Sequence, residues 1–357
     1  THLLSTKQHT TNNNNIPSLL LCLFTAPSIM TSLLLIVLIA VFDVVPVLVL
    51  SFQSSQHGRS NLHSSSVVAS CTRLCLASSP SIRQARFTQV ISDVDDTLKS
   101  SGGVNVAGVA LGGIDVQYER GEFYPGVAEF MLEMSRYDLP EDDATSPAKI
   151  AVLTARAEEF KAALEIKEQS KLAVALRQAG EKAGIQGWGI GPVLYGSVAE
   201  WIIQDRKGLR KFTNFERLIQ QDPTGMIFQY IYVGDVGELD QEAGETMLRE
   251  YPEVVKAVFL HVVSDQIGDT PIIPAPKFIN GRPLVFFRTY VGAAVDAVQL
   301  GFMGIDGLQS VIEAATTKLA NVPETSDKRV DLQKDINRSD ILFQGYGRRR
   351  REGTNRS

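Results

Sequence analysis

Residues 90–98, VISDVDDTL, place three aspartates and a threonine directly behind a short apolar run. The run has the length and composition of a buried strand, and Asp is common in the turns where strands end. The same arrangement is also typical of an ion site with a reactive carboxylate. The residues that follow the other predicted strands decide between an ordinary solvated turn and such a site.

From residue 87 onward, short apolar runs alternate with amphipathic segments. The apolar runs predict strands at residues 88–92, 149–153, 192–195, 228–233 and 256–263. The amphipathic segments predict helices at residues 126–136, 158–180, 212–221 and 239–250. Continuous apolar strands separated by helices indicate a parallel sheet covered on both faces, a three-layer α/β fold of the Rossmann-like kind. Ligands of such sheets bind at the carboxyl ends of the strands.

Composition excludes several classes of function. The 357 residues, 44% of them hydrophobic, are enough for one large domain or two smaller ones. From Phe87 onward there are 30 basic and 39 acidic residues, which argues against a nucleic-acid partner. All three cysteines precede Phe87, and of the five histidines only His261 follows it, inside an apolar run that predicts a buried structural side chain. Disulfide, zinc-cysteine and Ser-His-Asp chemistry are therefore excluded from this part of the chain.

Residues 1–86 are typical of a targeting region. Met30 is a candidate start, and residues 33–50 form a hydrophobic signal-like core. Residues 51–86 contain eleven serines, four arginines and no acid, the composition of a transit peptide. Together they predict a cleaved bipartite sequence that directs the protein to a plastid. The alternative is a signal anchor with a flexible linker, in an endomembrane or in the secretory pathway.

The C-terminal part is expected to extend the catalytic region. Residues 266–322 begin with a proline-rich connection, followed by a strand and two helices that should pack on the core. Residues 323–357 are expected to form a polar, solvated tail. Its cluster of four consecutive arginines could attract an anionic membrane surface: Arg348, Arg349, Arg350 and Arg351.

Polar residues recur at the carboxyl ends of the predicted strands. Thr154 follows the second strand in IAVLTAR, and the fourth strand leads into GDVGELD. A basic segment, DRKGLRKFTNF, opens the helix between them. The candidate catalytic and metal-ligating residues in these segments are Asp93, Asp95, Thr154, Lys211 with Lys207 as second choice, Asp235 and Asp240.

These residue types fit phosphoryl transfer to a carboxylate. Asp93 would be the nucleophile, and Asp95 would give a proton to the leaving alcohol and take one from water. Phosphate and carboxylate approach each other only with a cation between them, which indicates a hard ion such as Mg²⁺ held with Asp235 and Asp240. Thr154 would hydrogen-bond a phosphoryl oxygen. A lysine, first Lys211, would neutralise the developing charge.

The order DxDxT, Thr, Lys and GDxxxxD over residues 87–265 resembles the haloacid dehalogenase superfamily of phosphotransferases. Within it, SDVDDTLKSSG, FYPGVAEFMLEM and GDVGELDQEAGETMLREYPEVVKAVFLHVV are similar to the phosphatidate phosphatase catalytic-domain family of the yeast actin-patch type. The resemblance implies Mg²⁺-dependent removal of phosphate from phosphatidate, giving diacylglycerol. It also implies that the backbone carbonyl of Asp95 joins Asp93, Asp235 and Asp240 as a metal ligand.

The remaining expectations concern access to the site. The glycine-bearing residues 100–113 suggest either a small flap over the site or a plain hairpin. The intervals from Thr97 to Thr154 and from Thr154 to Lys211 are too short for a large cap domain. Tentative substrate contacts are Lys99, Ser100 and Arg156. Asp96 is expected to face solvent or to cap its turn, and Thr97 to tie the turn together.

Two other functions remain open at this point. One is a phosphatase for a soluble sugar or nucleotide phosphate. The other is a non-catalytic, membrane-associated scaffold that keeps the fold.

Overall fold

The computed structural model of the chain describes residues 87–106, 109–110, 113–139, 146–157, 166–196, 207–222, 225–237, 239–268 and 271–354. The expected targeting region, residues 1–86, with its hydrophobic core at residues 33–50, lies outside the described residues. Among the helices that are described, none combines the length and apolar character needed to span a bilayer.

The described strands are β1 (Phe87–Ser92), β2 (Asn105–Val106), β3 (Val109–Ala110), β4 (Ile150–Ala157), β5 (Ile190–Gly196), β6 (Ile227–Asp235), β7 (Val255–His261), β8 (Lys277–Ile279) and β9 (Arg282–Phe287). Seven of them form one sheet, in the order β5-β4-β1-β6-β7-β9-β8. All neighbours in this order pair in parallel except β8, which pairs antiparallel with β9. The fold is therefore α/β with a mostly parallel sheet, as the sequence predicts.

Helices cover both faces of this sheet. Successive residues of β1 point to opposite faces, so that Val90 belongs to one hydrophobic cluster and Ile91 to another. Phe130, in helix α1 (Val127–Ser135), lies in the same cluster as Val90. Phe215, in helix α3 (Lys207–Gln220), lies in the same cluster as Ile91. The helices described are α1 (Val127–Ser135), α2 (Lys171–Lys182), α3 (Lys207–Gln220), α4 (Asp240–Glu250), α5 (Tyr290–Gln299), α6 (Ile305–Lys318) and α7 (Asp327–Thr354).

Two element boundaries near the site differ from the sequence-based expectation. Helix α3 begins at Lys207, five residues before the expected position 212, so Lys211 lies within the helix. Strand β4 continues to Ala157, so Thr154 lies inside the strand and not after it. Of the helix expected at residues 158–180, only the part from Lys171 is observed, as α2. Residues 166–170 are not helical, and residues 158–165 are outside the described part of the chain.

The C-terminal part contains the expected strand and two helices, β9, α5 and α6. Strand β9 joins the sheet beside β7, so this region continues the sheet. Within the expected polar tail, residues 323–357, Asp327–Thr354 form α7. Arg288 Nε lies 3.1 Å from Asp331 Oδ2, and Thr289 Oγ1 donates to Asp335 Oδ2 at 2.7 Å. These contacts attach α7 to the start of α5.

The end of α7 contains the four arginines of the expected membrane-attracting cluster. Their side chains, at positions 348–351, are outside the described part of the structure. Residues 100–113 contain a short antiparallel hairpin, β2 (Asn105–Val106) and β3 (Val109–Ala110).

Candidate metal centre

Three buried carboxylates meet at the carboxyl edge of the sheet. They belong to Asp93, directly after β1, Asp235, the last residue of β6, and Asp240, the first residue of α4. Each offers an oxygen, and these oxygens all lie within 4.8 Å of one another. The residues are 2%, 0% and 0% exposed, respectively. This is the cluster that the sequence predicts from VISDVDDTL and GDVGELD.

Parallel pairing explains why these groups meet. Ser92 of β1 pairs with Val233 of β6, and the Asp93 N–H donates to the Val233 carbonyl at 3.1 Å. Asp93 therefore lies beside the end of β6, close to Asp235. Asp240 then folds back, since its Oδ2 accepts the Asp235 N–H at 3.1 Å. Gly234 is required there, because a Cβ at that position would lie 2.5 Å from Asp240 Oδ2.

Lys211 brings a positive charge to the cluster. It is 1% exposed, and its Nζ lies 3.3 Å from Asp93 Oδ1 and donates to Asp240 Oδ1. The three carboxylates each offer an oxygen within 4.8 Å of the others. Oxygen donors at this spacing suit a hard divalent cation. The residues present therefore fit a metal ion.

Thr154 and Asp95 lie at the same edge of the sheet. Ser92 pairs with Val152 of β4, so Thr154, two residues further along β4, lies beside the turn that begins at Asp93. Thr154 is 2% exposed. Asp95 is more accessible, with a side chain 20% exposed and an Oδ1 that lies 3.4 Å from Lys99 Nζ. Lys99, expected as a substrate contact, is thus paired with Asp95, and its own side chain is 25% exposed.

Asp96 is 0% exposed, so of its two expected roles, facing solvent and capping its turn, the first is wrong and the second is confirmed. Its carboxylate accepts the backbone N–H groups of Ser101 at 2.7 Å, Ile114 at 2.6 Å and Asp115 at 2.9 Å. Burial raises the pKa of Asp96 to about 6, and the N–H groups of Ser101 and Asp115 act in the opposite direction. Asp96 thus joins the two ends of the segment that carries the hairpin.

Ser100, a tentative substrate contact, is also used within this segment. Its residue is 0% exposed, and its hydroxyl donates to the Tyr118 carbonyl at 3.0 Å and accepts the Gly102 N–H at 2.9 Å. These hydrogen bonds give Ser100 a structural role, and its contact with substrate stays a prediction. The side chains of the other candidates, Arg156 and Lys207, are outside the described part of the structure, although their backbones lie in β4 and α3.

Two buried residues, His261 and Tyr290, hydrogen-bond to the backbone of the acidic turn, residues 93–97. His261 is 3% exposed, and its ring nitrogens lie 2.8 Å from the Asp96 carbonyl and 3.2 Å from the Arg288 carbonyl. Burial lowers the pKa of His261 to about 4, so the ring is neutral at pH 7. This confirms the predicted structural role. Tyr290, in the C-terminal part, donates to the Thr97 carbonyl at 2.7 Å.

Thr97 itself differs from expectation, because its Oγ1 is buried without a hydrogen-bond partner in the described part of the chain. The contacts of Tyr290 and Asp96 were missed at the sequence level. The tyrosine is 193 residues from Thr97 along the chain, and no local pattern joins them.

No model of a known protein family matches this chain, nor does any curated protein or solved structure.

Proposed function

We propose that the chain is a Mg²⁺-dependent phosphatase that hydrolyses a phosphate monoester through a phospho-aspartyl intermediate on Asp93. The observation that carries the proposal is the buried cluster of Asp93, Asp235 and Asp240 with the Lys211 ammonium 3.3 Å from Asp93. The resemblance of four ordered motifs to the haloacid dehalogenase superfamily supports it. On this proposal the hairpin is a small flap on a haloacid-dehalogenase-like core without a large cap domain.

The metal ion would be held by the carboxylates of Asp93, Asp235 and Asp240 and by the backbone carbonyl of Asp95. When bound, it supplies positive charge between the phosphate and the carboxylates. Among protein ligand sets, all-oxygen donors with several carboxylates favour Mg²⁺ or Ca²⁺ over softer ions. Mg²⁺ is the choice here because phosphoryl groups are its usual partners in such sites.

The reaction needs a nucleophile and a proton carrier. An Asp93 carboxylate oxygen attacks phosphorus, and the bond from phosphorus to the ester oxygen breaks. Asp95 gives its proton to the leaving oxygen, then takes a proton from the water that attacks the acyl phosphate. This second step releases inorganic phosphate and restores Asp93. The partly exposed position of Asp95 suits both roles, because alcohol leaves and water enters from solvent.

Lys211 and Thr154 would stabilise the transferring group. Lys211 is buried beside Asp93, where an ammonium group has a strong effect on developing negative charge. Thr154 would donate its hydroxyl to a phosphoryl oxygen, in agreement with its position at the same edge of the sheet.

We propose further that the substrate is a lipid phosphate, most directly phosphatidate, which gives diacylglycerol. Two exposed leucines support an apolar substrate. Leu209, two residues before Lys211, is 61% exposed, and Leu239, next to Asp240, is 39% exposed. The starts of α3 and α4 are in contact, since a Cβ at Gly208 would lie 3.1 Å from the Leu239 carbonyl. Both leucines thus lie on the protein surface in the segments that carry Lys211 and Asp240, where acyl chains would contact them.

The test is phosphate release by the full chain. Phosphatidate in detergent micelles is compared with a panel of soluble sugar and nucleotide phosphates, with Mg²⁺ and with EDTA. Asp93→Asn removes the nucleophile, and Asp306→Asn, an exposed aspartate of α6, is the matched control. We expect release from phosphatidate that requires Mg²⁺, is lost in Asp93→Asn and is unchanged in Asp306→Asn.

Each alternative gives a different result. Activity on soluble esters alone would overturn the lipid substrate and keep the mechanism. Full activity of Asp93→Asn would overturn the mechanism, because a neutral amide does not form the acyl phosphate. Absence of phosphate release from every substrate would favour a non-catalytic scaffold.

A further inference from the structure

Apart from the carboxylate cluster, a small cavity lies at the carboxyl edge of the sheet, beyond the end of β9. Three tyrosines and two leucines form much of its wall, and Arg288 and Lys328 supply the positive charge. Arg288 follows β9 directly, and Thr289 next to it is the N-cap of α5. The carboxyl end of a parallel strand, followed by a helix N-terminus, is where α/β proteins bind ligands. None of the three clustered carboxylates lines this cavity.

Arg288 has a donor that nothing in the described structure accepts. The residue is 7% exposed. Its Nε donates to Asp331 Oδ2 at 3.1 Å, and its Nη1 donates to the Val262 carbonyl at 2.6 Å. Its Nη2 is buried and has no hydrogen-bond partner among the described residues. Leaving a charged, buried donor unsatisfied is costly, so this nitrogen indicates an acceptor from outside the chain.

Lys328 of α7 lies at the solvent side of the same cavity. Its Nζ lies 4.0 Å from the centre of the Tyr118 ring and 3.4 Å from Glu122 Oε2, and its side chain is 20% exposed. Asp331 is shared by Arg288 and by Lys334, whose Nζ lies 3.1 Å from Asp331 Oδ1. The carboxylate of Asp115 is also near, since it accepts the hydroxyl of the lining Tyr124 at 2.9 Å. The feature that indicates a ligand is therefore the donor Arg288 Nη2, which has no acceptor among the described residues.

The size of the cavity restricts that ligand. The volume open to the centre of a water molecule is about 10 Å³, close to what one water requires. One oxygen of a planar carboxylate fits such a space, with the rest of the group at the opening. A tetrahedral phosphate is bulkier at its centre and fits this opening less well.

We propose that this cavity binds the carboxylate group of a small organic acid, with Arg288 Nη2 and Lys328 Nζ as donors. The aromatic and aliphatic wall excludes water and strengthens these interactions. The proposal does not depend on the phosphatase activity. The site is connected to the acidic turn, because Tyr290 lines the cavity and donates to the Thr97 carbonyl at 2.7 Å.

The test uses acetate as the probe, acetamide as its uncharged isostere and phosphate as the larger anion. The unfolding temperature of the full chain is measured at pH 7 with increasing acetate, while NaCl keeps the ionic strength constant. We expect acetate alone to raise it, by about 3 °C at ten times the dissociation constant. Equal shifts with acetamide, a shift with phosphate alone, or no shift at all would overturn the proposal. In the last case the cavity holds only water.

Two variants assign the effect to the cavity. Lys328→Met should weaken the acetate effect at least several-fold, and Arg288→Met should abolish it. Arg329→Met is the matched control, because it removes the neighbouring cation of α7, which does not line the cavity and pairs with Glu324 at 3.9 Å. If Arg288→Met does not fold, Lys328→Met and its control decide. An acetate effect that is equally strong in Lys328→Met and Arg329→Met would contradict the assignment.

Discussion

Replacing Lys211 with methionine should make the stability of the fold depend on a divalent cation. The Lys211 side chain is 2% exposed, and its Nζ lies 3.3 Å from Asp93 and in contact with Asp240. At an effective dielectric constant of about 20, the attraction across 3.3 Å is about 5 kcal/mol per pair. Breaking a buried ion pair costs about 3–5 kcal/mol, because the remaining carboxylates lose their partner. The free energy of unfolding in EDTA should fall by this amount.

Urea unfolding followed by circular dichroism, in EDTA and in Mg²⁺, measures this change. Mg²⁺ should stabilise Lys211→Met more than the wild type, since the ammonium no longer competes for the carboxylates. Lys182→Met is the control, because Lys182 pairs with Glu313 at 4.0 Å with both side chains more than half exposed, a pair worth about 1 kcal/mol or less. If Lys211→Met unfolds in EDTA like the control, or gains no more from Mg²⁺ than the wild type, the reasoning is refuted.

Three further changes test the surroundings of the site. Gly113→Ala should lower the free energy of unfolding by about 2–4 kcal/mol, because the new Cβ would lie 2.1 Å from Asp96 Oδ2 and the residue has a φ of 147°. The control is Gly184→Ala, which has a φ of 79° and open space around its Cβ and should cost about 1 kcal/mol. Equal losses of the two variants in urea unfolding would contradict this. Tyr290→Phe removes the donor to the Thr97 carbonyl and should cost about 1 kcal/mol in the same assay, whereas an unchanged midpoint would show that the bond is unimportant. Burial lowers the pKa of His261 from 6.5 to about 4, so the unfolded chain binds a proton first as the pH falls. His261 therefore contributes stability above pH 6.5 that is lost towards pH 4, about 3 kcal/mol in all. This loss should be absent in His261→Gln when urea midpoints are measured from about pH 7 to about pH 4. A pH profile of His261→Gln identical to that of the wild type would contradict it.

The cluster of buried carboxylates could be predicted from sequence because its members lie at positions with strong local signals. The run at β1 is buried at all six positions, and a continuous apolar run of that length reads as a central parallel strand. Parallel strands end at one edge, so Asp93 and Asp235 had to be near each other. Lys211 could be predicted because it lies near the start of a helix that connects two strands. The helix begins five residues earlier than expected, but Lys211 still lies in its first turns.

Long-range contacts explain what the sequence did not indicate. Asp96 is buried because the N–H groups of Ile114 and Asp115 return to it from 18 and 19 residues away, and nothing near Asp96 shows that return. Helix α7 has a polar composition that is typical of a solvated tail. Its attachment depends on Asp331 and Asp335, which pair with the start of α5, a tertiary interaction that overrides the local pattern.

Asp93 is proposed to carry a phosphoryl group during turnover, and trapping that group is the decisive measurement. The full chain is mixed with Mg²⁺ and with phosphatidate labelled in its phosphate, quenched in acid within one turnover and divided into two samples. The first sample is counted for protein-bound label. The second is reduced with borohydride, which converts an aspartyl phosphate to homoserine and releases the phosphate, and is analysed by peptide mass spectrometry. We expect bound label that is absent in Asp93→Asn, and homoserine at position 93 and at no other aspartate. Phosphate release without bound label and without a reduced aspartate, or reduction at a residue other than Asp93, would show that Asp93 is not the nucleophile.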